Sequence, residues 1–304
     1  MSNVEILKQK LARKEKILIN GPTGTEIQRR GVSTKLPLWS AAPLLTHPDI
    51  VRTIHEDYIS AGAEIIVTNT FRTNVRTLER IGLGELSTSL THLAVKLAKE
   101  ARENSGKKDV IIAGDIAPLE DCYTPSLVPS ERELLEEHRR NADDLAKAGV
   151  DIIQIETVGT IREGLAMAKA AHETGLDFIF SFICNADGNL LSGESIEDAV
   201  QAISAFNPLA FATNCRPPAT INASVYKLLK ASEKPVGVYA NGVGCPADDL
   251  GWEFCKTGVS AHEYLKYAKK WVNDGVTLIG GCCGTTPEYI KLIKEFIDTT
   301  KISL

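Results

Sequence analysis

Three cysteines in the second half of the chain could together bind one metal ion. Cys282 and Cys283 are adjacent within a Gly-Gly-Cys-Cys-Gly run, and Cys215 ends an apolar run upstream of them. Zinc accepts thiolate ligands in tetrahedral geometry, and a catalytic zinc site uses three protein ligands and keeps the fourth position open. These cysteines supply that number of ligands, so the sequence predicts a catalytic Zn²⁺ site.

Other roles are open for the same residues. A buried cysteine is often a small apolar core residue, glycine-rich loops near the end of a barrel often bind phosphate, and adjacent cysteines can form a strained disulfide. Adjacent residues of a regular strand point to opposite faces, so Cys282 and Cys283 can share one ion only where the backbone leaves strand geometry. The flanking glycines permit this, and the joint placement of three cysteines at the ends of apolar runs favours a metal.

The chain has seven cysteines. An odd number, without a recognisable secretory signal, is typical of a reducing compartment, and we expect a cytoplasmic protein. We expect Cys122, Cys184 and Cys255 to be core or surface residues. Cys245, in the loop after the seventh apolar run, is the candidate for a fourth ligand that would close the site and make the zinc structural.

Eight short apolar runs rich in Val and Ile must position these cysteines. Such nearly continuous runs are typical of parallel strands covered by helices. The predicted strands are 17–20, 64–71, 110–118, 151–158, 177–184, 209–215, 235–241 and 276–281. The longest insertions between them are 21–46 and 241–260.

Helix signals lie between the runs. Ser130 with Glu133 forms a capping-box pattern before a predicted helix over 134–149, and Thr286 with Pro287 starts one over 287–298. The first 16 residues predict a solvated lead-in helix. Eight strand–helix units in 304 residues predict an α/β protein with a single (β/α)₈ TIM barrel domain over residues 1–304. A doubly wound open sheet is the alternative, disfavoured because no Gly-x-Gly-x-x-Gly follows the first strand.

The active site of such a barrel lies at the carboxyl ends of its strands. We therefore predict that the three cysteines are catalytic metal ligands and that four polar residues at other strand ends bind substrate. Aromatic side chains in the loops at this end could hold a cationic ligand through cation–π contacts. The substrate-binding candidates are Asn20, Thr70, Glu156 and Asn241, and the aromatic candidates are Trp39, Tyr123, Tyr239 and Trp252.

Several runs of the sequence together resemble one known family. The run IGGCCGTTPEYI, with Thr-Asn-Cys at Thr213–Cys215 upstream, resembles the homocysteine S-methyltransferase family. The runs GPTGTEIQRRG, TNTFRTN, GDIAPLEDCY and IET fit the same family in the right order, so the resemblance covers nearly the whole chain. GGCCG is the specific motif among them.

The resemblance implies a (β/α)₈ barrel with zinc on Cys215, Cys282 and Cys283, and with the homocysteine sulfur as the fourth ligand. It implies that Glu156 holds the ammonium group of the substrate. Asn20 departs from the family, which usually has Asp at this position. The resemblance also makes S-methylmethionine the first choice of methyl donor. Another small thiol as acceptor, betaine or S-adenosylmethionine as donor, and a non-catalytic zinc or thiol-switch barrel remain alternatives.

Composition limits the partners. The formal net charge is −5, without the clustered basic surface of a nucleic-acid-binding domain. No apolar run approaches the roughly 18 residues that a membrane span needs. We therefore expect small-molecule partners, with neither nucleic acid nor membrane, and the sequence leaves open a homo-oligomer.

Overall fold

Eight parallel strands and a separate two-stranded hairpin make up the sheets of this computed structural model, which describes residues 1–247 and 250–302. Each apolar run that was predicted to be a strand contains one of the parallel strands. The strands are β1 (Ile17–Leu18), β2 (Ile65–Val67), β3 (Ile111–Ile116), β4 (Ile152–Val158), β5 (Phe178–Phe182), β6 (Ala210–Asn214), β7 (Val236–Ala240), β8 (Val243–Cys245), β9 (Glu253–Gly258) and β10 (Leu278–Gly281).

The parallel strands pair in the order β1-β10-β7-β6-β5-β4-β3-β2 and form a nearly closed barrel. A parallel bridge between Ile19 and Ile65 joins the two end strands, and the amide of Asn20 donates to the carbonyl of Ile65 at 3.0 Å. This pairing confirms the predicted (β/α)₈ TIM barrel. The open doubly wound sheet is wrong, because it would leave β1 and β2 as separate edges.

Helices follow the strands and cover the outside of the barrel. Their contacts with one another run mainly between neighbours in the ring. The helices are α1 (Asn3–Ala12), α2 (Thr23–Arg29), α3 (Ala42–Thr46), α4 (Pro48–Ala61), α5 (Val75–Glu79), α6 (Ser87–Ser105), α7 (Glu131–Ala148), α8 (Ile161–Glu173), α9 (Ile196–Ser204), α10 (Pro218–Ala231), α11 (Ala261–Asp274) and α12 (Pro287–Ile302), with 3₁₀ turns at Trp39–Ala41, Gly84–Leu86 and Pro125–Leu127.

The helix signals read from the sequence mark the starts of α7 and α12. The capping box of Ser130 and Glu133 forms, and α7 begins directly after the cap, earlier than the predicted 134. α12 begins at Pro287 as predicted and runs past the predicted end at 298. Both differences follow from local hydrogen bonding, since a helix starts at its cap and ends where its backbone ladder stops.

The barrel interior and the space between the sheet and the helices form two separate cores. Side chains that point inward pack with Leu7 and Leu11 of α1, which close the amino end of the barrel. The expectation of a solvated lead-in helix was therefore wrong for one of its faces. Side chains that point outward pack against the helices in a larger cluster. This arrangement fills the amino end and leaves the carboxyl end for a site.

The two predicted insertions lie at the carboxyl end. The insertion 21–46 contains α2, the 3₁₀ turn at Trp39–Ala41 and α3, and the insertion 241–260 contains the antiparallel β8–β9 hairpin. In the part of the chain that the structure describes, none of the helices combines the length and the apolar character that a bilayer crossing requires.

His55 is a buried histidine whose protonation changes the stability of the fold. It lies on α4, is fully buried, and neither of its ring nitrogens has a hydrogen-bond partner among the described residues. Burial lowers its pKa from 6.5 to about 4. Protonation therefore favours the unfolded chain, and the stability that depends on neutral His55 is present above pH 6.5 and is lost as the pH falls towards 4.

We expect His55→Leu to remove this acid sensitivity. Relative to wild type, the free energy of unfolding of the variant should rise by about 2–3 kcal/mol between pH 7.5 and pH 4.5, following the shift in pKa. Chemical denaturation at a series of pH values measures the difference. His92→Leu, at an exposed position of α6, is the control and should track wild type. Parallel stability curves for His55→Leu and wild type would contradict the assignment.

Candidate active site

A cavity of about 350 Å³ lies at the carboxyl end of the barrel strands. Strand ends form its floor, and parts of the two insertions cover it. Active sites of this fold occur at this end. The cavity brings together five of the residues predicted for the site, which are Asn20, Glu156, Cys215, Cys282 and Cys283.

The three cysteines form one group. The sulfur atoms of Cys215, Cys282 and Cys283 all lie within 4.8 Å of one another. In a tetrahedral thiolate site with metal–sulfur bonds near 2.3 Å, the sulfurs are about 3.8 Å apart, so small side-chain rotations reach that geometry. Within residues 1–247 and 250–302, no other group of three Cys, His or carboxylate side chains brings its ligand atoms this close together. The donors present fit a metal with three protein ligands.

The backbone after β10 lets two adjacent thiols face one centre. The amide of Thr285 donates to the carbonyl of Cys282 at 3.0 Å, so Cys282 and Cys283 lie in a turn and have left the strand. Gly284 has a φ of +77°, and a Cβ there would lie 2.1 Å from the carbonyl oxygen of Val243. Only glycine fits this position. The predicted departure from strand geometry is confirmed.

A different backbone arrangement positions the third thiol, that of Cys215. Cys215 follows β6 with a φ of +59°, and its amide donates to the carbonyl of Tyr239 at 3.2 Å. The preceding Asn214 accepts from the amide of Thr157 at 3.1 Å and donates to the Thr157 hydroxyl at 2.9 Å. These bonds tie the Cys215 segment to the segment of Glu156. The sequence analysis did not single out Asn214, although it lies in the Thr-Asn-Cys motif.

The thiols do not ionise independently. Hydrogen bonds from Cys282 and Cys283 to the sulfur of Cys215 hold the pKa of Cys215 well below its usual range, and the hydroxyl of Tyr123, 3.1 Å away, adds to this. The interaction with Cys215 in turn raises the pKa of Cys282 and of Cys283. One thiolate forms easily and the next two are opposed by its charge, so full deprotonation calls for a cation at the centre.

Three carboxylate side chains, those of Asp115, Asp121 and Glu156, line the same cavity. Burial, together with the nearby Cys215, raises the pKa of Glu156 to about 8, and a hydrogen bond with Tyr239 opposes the rise. Asp115 on β3 also lines the cavity and is only 4% exposed. Burial and then the charge of Glu156 raise the pKa of Asp115 well above its usual range.

Sequence reasoning missed Asp115. The predicted third strand ran to residue 118, and its end was therefore placed beyond Asp115, whereas β3 ends at Ile116. The available signal was the GDIAPLEDCY run, which fitted the family resemblance without any residue in it being assigned a role.

Asn20 takes part in closing the barrel. Its side-chain oxygen accepts from the amide of Val67 at 3.1 Å, and its backbone carbonyl accepts from the amide of Gly281 at 3.2 Å. One lone pair of the amide oxygen is thus used by β2. The side chain lines the cavity, and its NH₂ group can donate but cannot accept.

Thr70 and Asn241 are not among the residues that line the cavity. The hydroxyl of Thr70 donates to the carbonyl of Asp115 at 2.8 Å, and the amide of Asn241 donates to the carbonyl of Arg216 at 2.9 Å. Both residues lie beyond the observed ends of their strands, where side-chain direction no longer follows the strand. A contact of either one with substrate stays a prediction.

Aromatic side chains cover the cavity. All four that were singled out, Trp39, Tyr123, Tyr239 and Trp252, line it. Trp39 comes from the first insertion and packs edge to face on Phe71 at 5.7 Å between ring centroids, while Trp252 comes from the β8–β9 hairpin. The insertions thus bring π faces over the three thiols.

The other cysteines have different surroundings. Cys122 lines the cavity and is half-buried, while Cys184 is buried in the core outside it. The sulfur of Cys245 lies 3.1 Å from that of Cys255, across the β8–β9 hairpin. Cys245 does not belong to the group of three thiols. The described residues therefore offer no support for Cys245 as a closing fourth ligand.

The chain is similar to known proteins over most of its length. The family model for homocysteine S-methyltransferase matches residues 17–297. "Homocysteine S-methyltransferase 2" of Arabidopsis thaliana is 33% identical over 91% of this chain and 92% of its own, and "Selenocysteine Se-methyltransferase" of Brassica oleracea var. italica is 34% identical over 91% and 88%. The metallated form of the Escherichia coli homocysteine methyltransferase MmuM superposes with a TM-score of 0.82 at 27% identity, covering 97% of this chain and all of that one.

We expect Tyr123→Phe to weaken divalent metal binding by about tenfold, because loss of a partner that orients a metal ligand commonly costs 10- to 100-fold. The removed hydroxyl hydrogen-bonds the sulfur of Cys215. Competition with a chromophoric chelator measures the affinity. Tyr226→Phe, at an exposed position on α10, is the matched control. Equal affinities for Tyr123→Phe and wild type would show that the contact does not support the metal.

Proposed function

The chain belongs to the homocysteine S-methyltransferase family and is a methyltransferase, and from this premise we propose that it moves a methyl group from an onium donor to homocysteine, giving methionine. S-methylmethionine is the first-choice donor. We propose Zn²⁺ as the cofactor, held by Cys215, Cys282 and Cys283. The observation that carries the proposal is a group of three thiols on the wall of a cavity that also holds carboxylates and aromatic rings.

The donor set supports zinc among the divalent ions. Three soft sulfur ligands in a small group suit zinc and disfavour magnesium and calcium, which prefer oxygen. When bound, Zn²⁺ lowers the pKa of the acceptor thiol and so supplies a thiolate nucleophile at neutral pH. A separate general base is then not required of the chain.

The carboxylate of Glu156 is the group we assign to the ammonium of the acceptor. Glu156 lies in the same cavity as the three thiols and is tied to the Cys215 segment through Asn214 and Thr157. An ammonium that leaves water needs an anion or good hydrogen bonds. Holding this end of the acceptor fixes the position of its sulfur relative to the donor, which lowers the entropic part of the barrier.

The aromatic cover suits a cationic donor. In the transfer, the bond from the acceptor sulfur to the methyl carbon forms as the bond from that carbon to the onium atom breaks. The bonding pair stays with the onium atom, so the donor leaves neutral. Aromatic faces attract the onium through cation–π contacts, and Trp39 and Trp252 come from the two insertions that cover the cavity. A cavity that excludes water favours this loss of charge.

A related acceptor is the second candidate. The Brassica relative, named as a selenocysteine Se-methyltransferase, is as similar to this chain as the Arabidopsis relative. A selenol amino acid would present the same ammonium group and a softer, more acidic nucleophile to the same site. Betaine and S-adenosylmethionine remain alternative donors, and a non-catalytic zinc or thiol-switch barrel remains the alternative class.

A donor screen tests the proposed function. Purified protein with zinc is mixed with homocysteine and with S-methylmethionine, betaine or S-adenosylmethionine in turn, and methionine is measured. We expect about one zinc per chain and the highest rate with S-methylmethionine. Cys282→Ala should lose most of the zinc and the activity, whereas Cys255→Ala on the hairpin should retain both. An unchanged zinc content and an unchanged turnover in Cys282→Ala would contradict the assignment of the metal ligands.

Replacing Trp39 should act mainly on the donor. We expect Trp39→Leu to raise the KM for the onium donor by about 2- to 30-fold, the range that a lost cation–π contact gives. The KM for homocysteine should change less, and Trp39→Phe should recover part of the loss because it restores a π face. Initial rates with each substrate varied in turn provide the two constants. An equal rise in both would mean that Trp39 only shapes the cavity.

A further inference from the structure

Asp115 is a charged side chain of the cavity that the proposed reaction has not yet used. It is 4% exposed, and its Oδ1 has no hydrogen-bond partner among the described residues. The backbone of Asp115 is well bonded, because its amide donates to the Thr68 hydroxyl at 3.1 Å and its carbonyl accepts from the Thr70 hydroxyl at 2.8 Å. The strand end is therefore held by backbone contacts that do not need the carboxylate.

A second acidic side chain, that of Glu156, interacts with Asp115 in the cavity. Glu156 interacts electrostatically with Asp115 and disfavours its ionised form. The guanidinium of Arg72, in the same cavity, interacts with Asp121 and Cys122 instead. Burying a carboxylate without a partner is costly, and two such groups near each other cost more. A cation that enters the cavity would offset both costs.

Asn20 carries no charge with which to hold an ammonium. One lone pair of its side-chain oxygen already accepts from the amide of Val67, and its NH₂ group is a donor, as an ammonium is. Of the three carboxylates that line the cavity, Asp121 is exposed and already accepts from the Tyr123 amide and the Thr124 hydroxyl. Asp115 and Glu156 are therefore the carboxylates left to accept charge-assisted hydrogen bonds from an ammonium.

We propose that Asp115 is a specificity-determining residue that binds the α-ammonium group of the acceptor together with Glu156, so that the enzyme selects amino-acid thiols over simple thiols. The inference rests on the proposed function, since it assigns a role towards the acceptor of that reaction. An ammonium has three N–H donors, which is enough for both carboxylates. Loss of water from the cavity on binding strengthens both contacts.

Three acceptors separate this role from others. Homocysteine has both charged groups, 3-aminopropane-1-thiol lacks the carboxylate, and 4-sulfanylbutanoic acid lacks the ammonium. With saturating S-methylmethionine, we expect Asp115→Asn to lower kcat/KM for the two ammonium-bearing thiols by about 10- to 100-fold, the range of a lost charge-assisted hydrogen bond. For 4-sulfanylbutanoic acid, kcat/KM should stay within about threefold or rise, because a repulsive carboxylate has gone.

Moving the carboxylate from position 115 to position 20 should restore the selectivity for the ammonium-bearing thiol. In Asn20→Asp, one oxygen can keep the bond from the amide of Val67 while the other is offered to the cavity. The double variant Asn20→Asp/Asp115→Asn should therefore recover most of the preference for homocysteine over 4-sulfanylbutanoic acid. Asn20→Asp alone should not increase this preference, because Asp115 and Glu156 already hold the ammonium and a further carboxylate adds repulsion among the buried acidic groups.

Controls distinguish Asp115 from a general effect on the cavity. The exposed Asp121, whose carboxylate already accepts from the Tyr123 amide and the Thr124 hydroxyl, is the matched control, and any effect of Asp121→Asn should be equal for the three acceptors. Should Asp115→Asn fail to fold, Asp115→Ser takes its place.

An equal fall for all three acceptors, or a change confined to the KM for S-methylmethionine, would overturn the proposal. If the wild type methylates none of the thiols, the proposed function fails, and Asp115 is then judged by calorimetry. Zinc-loaded wild type should bind homocysteine more tightly than 4-sulfanylbutanoic acid, and Asp115→Asn should lose this difference. An unchanged difference would overturn the role of Asp115 by itself.

Discussion

The closeness of three thiol sulfurs is the constraint on which the rest of the site depends. Sulfurs within 4.8 Å of one another repel once they are ionised, so the backbone must hold them there before a cation arrives. The barrel does this from two strands, with a left-handed residue at Cys215 and a glycine turn after Cys283. The left-handed conformation of Cys215 is costly in isolation and persists because the packed strand ends on either side determine it, whereas glycine adopts the conformation of Gly284 readily.

The charge pattern of the cavity follows from that constraint. A divalent cation among three thiolates would leave the centre negative, and the buried Asp115 and the half-buried Glu156 add further acidic groups. Such a cavity favours ligands that carry positive charge, and it favours a reaction in which a cationic donor becomes neutral. The aromatic side chains of the insertions also favour a cationic ligand, because their π faces attract a cation. Unlike a carboxylate or a carbonyl group, they do so without a strongly hydrated acceptor.

Stability and chemistry are separated along the barrel axis. The amino end is filled by inward-pointing aliphatic side chains and closed by Leu7 and Leu11 of α1. The carboxyl end holds the polar and sulfur-containing groups, and Asn20 links the two functions by bonding β2 and β10 while lining the cavity. The strained and unpaired groups can be tolerated at the mouth because the interior below them is densely packed.

The sequence by itself determined the barrel, the two capped helices and the three cysteines whose thiols meet at one end of it. Those features depend on apolar periodicity, on local capping and on residue type at the ends of strands, and all of these are readable along the chain. Tertiary structure alone decided that Oδ1 of Asp115 has no partner among the described residues, that the oxygen of Asn20 accepts from Val67, and that Cys245 contacts Cys255. The reason is that a strand end displaced by one or two residues turns a side chain to the opposite face, and the partner of a polar group comes from a segment far away in sequence.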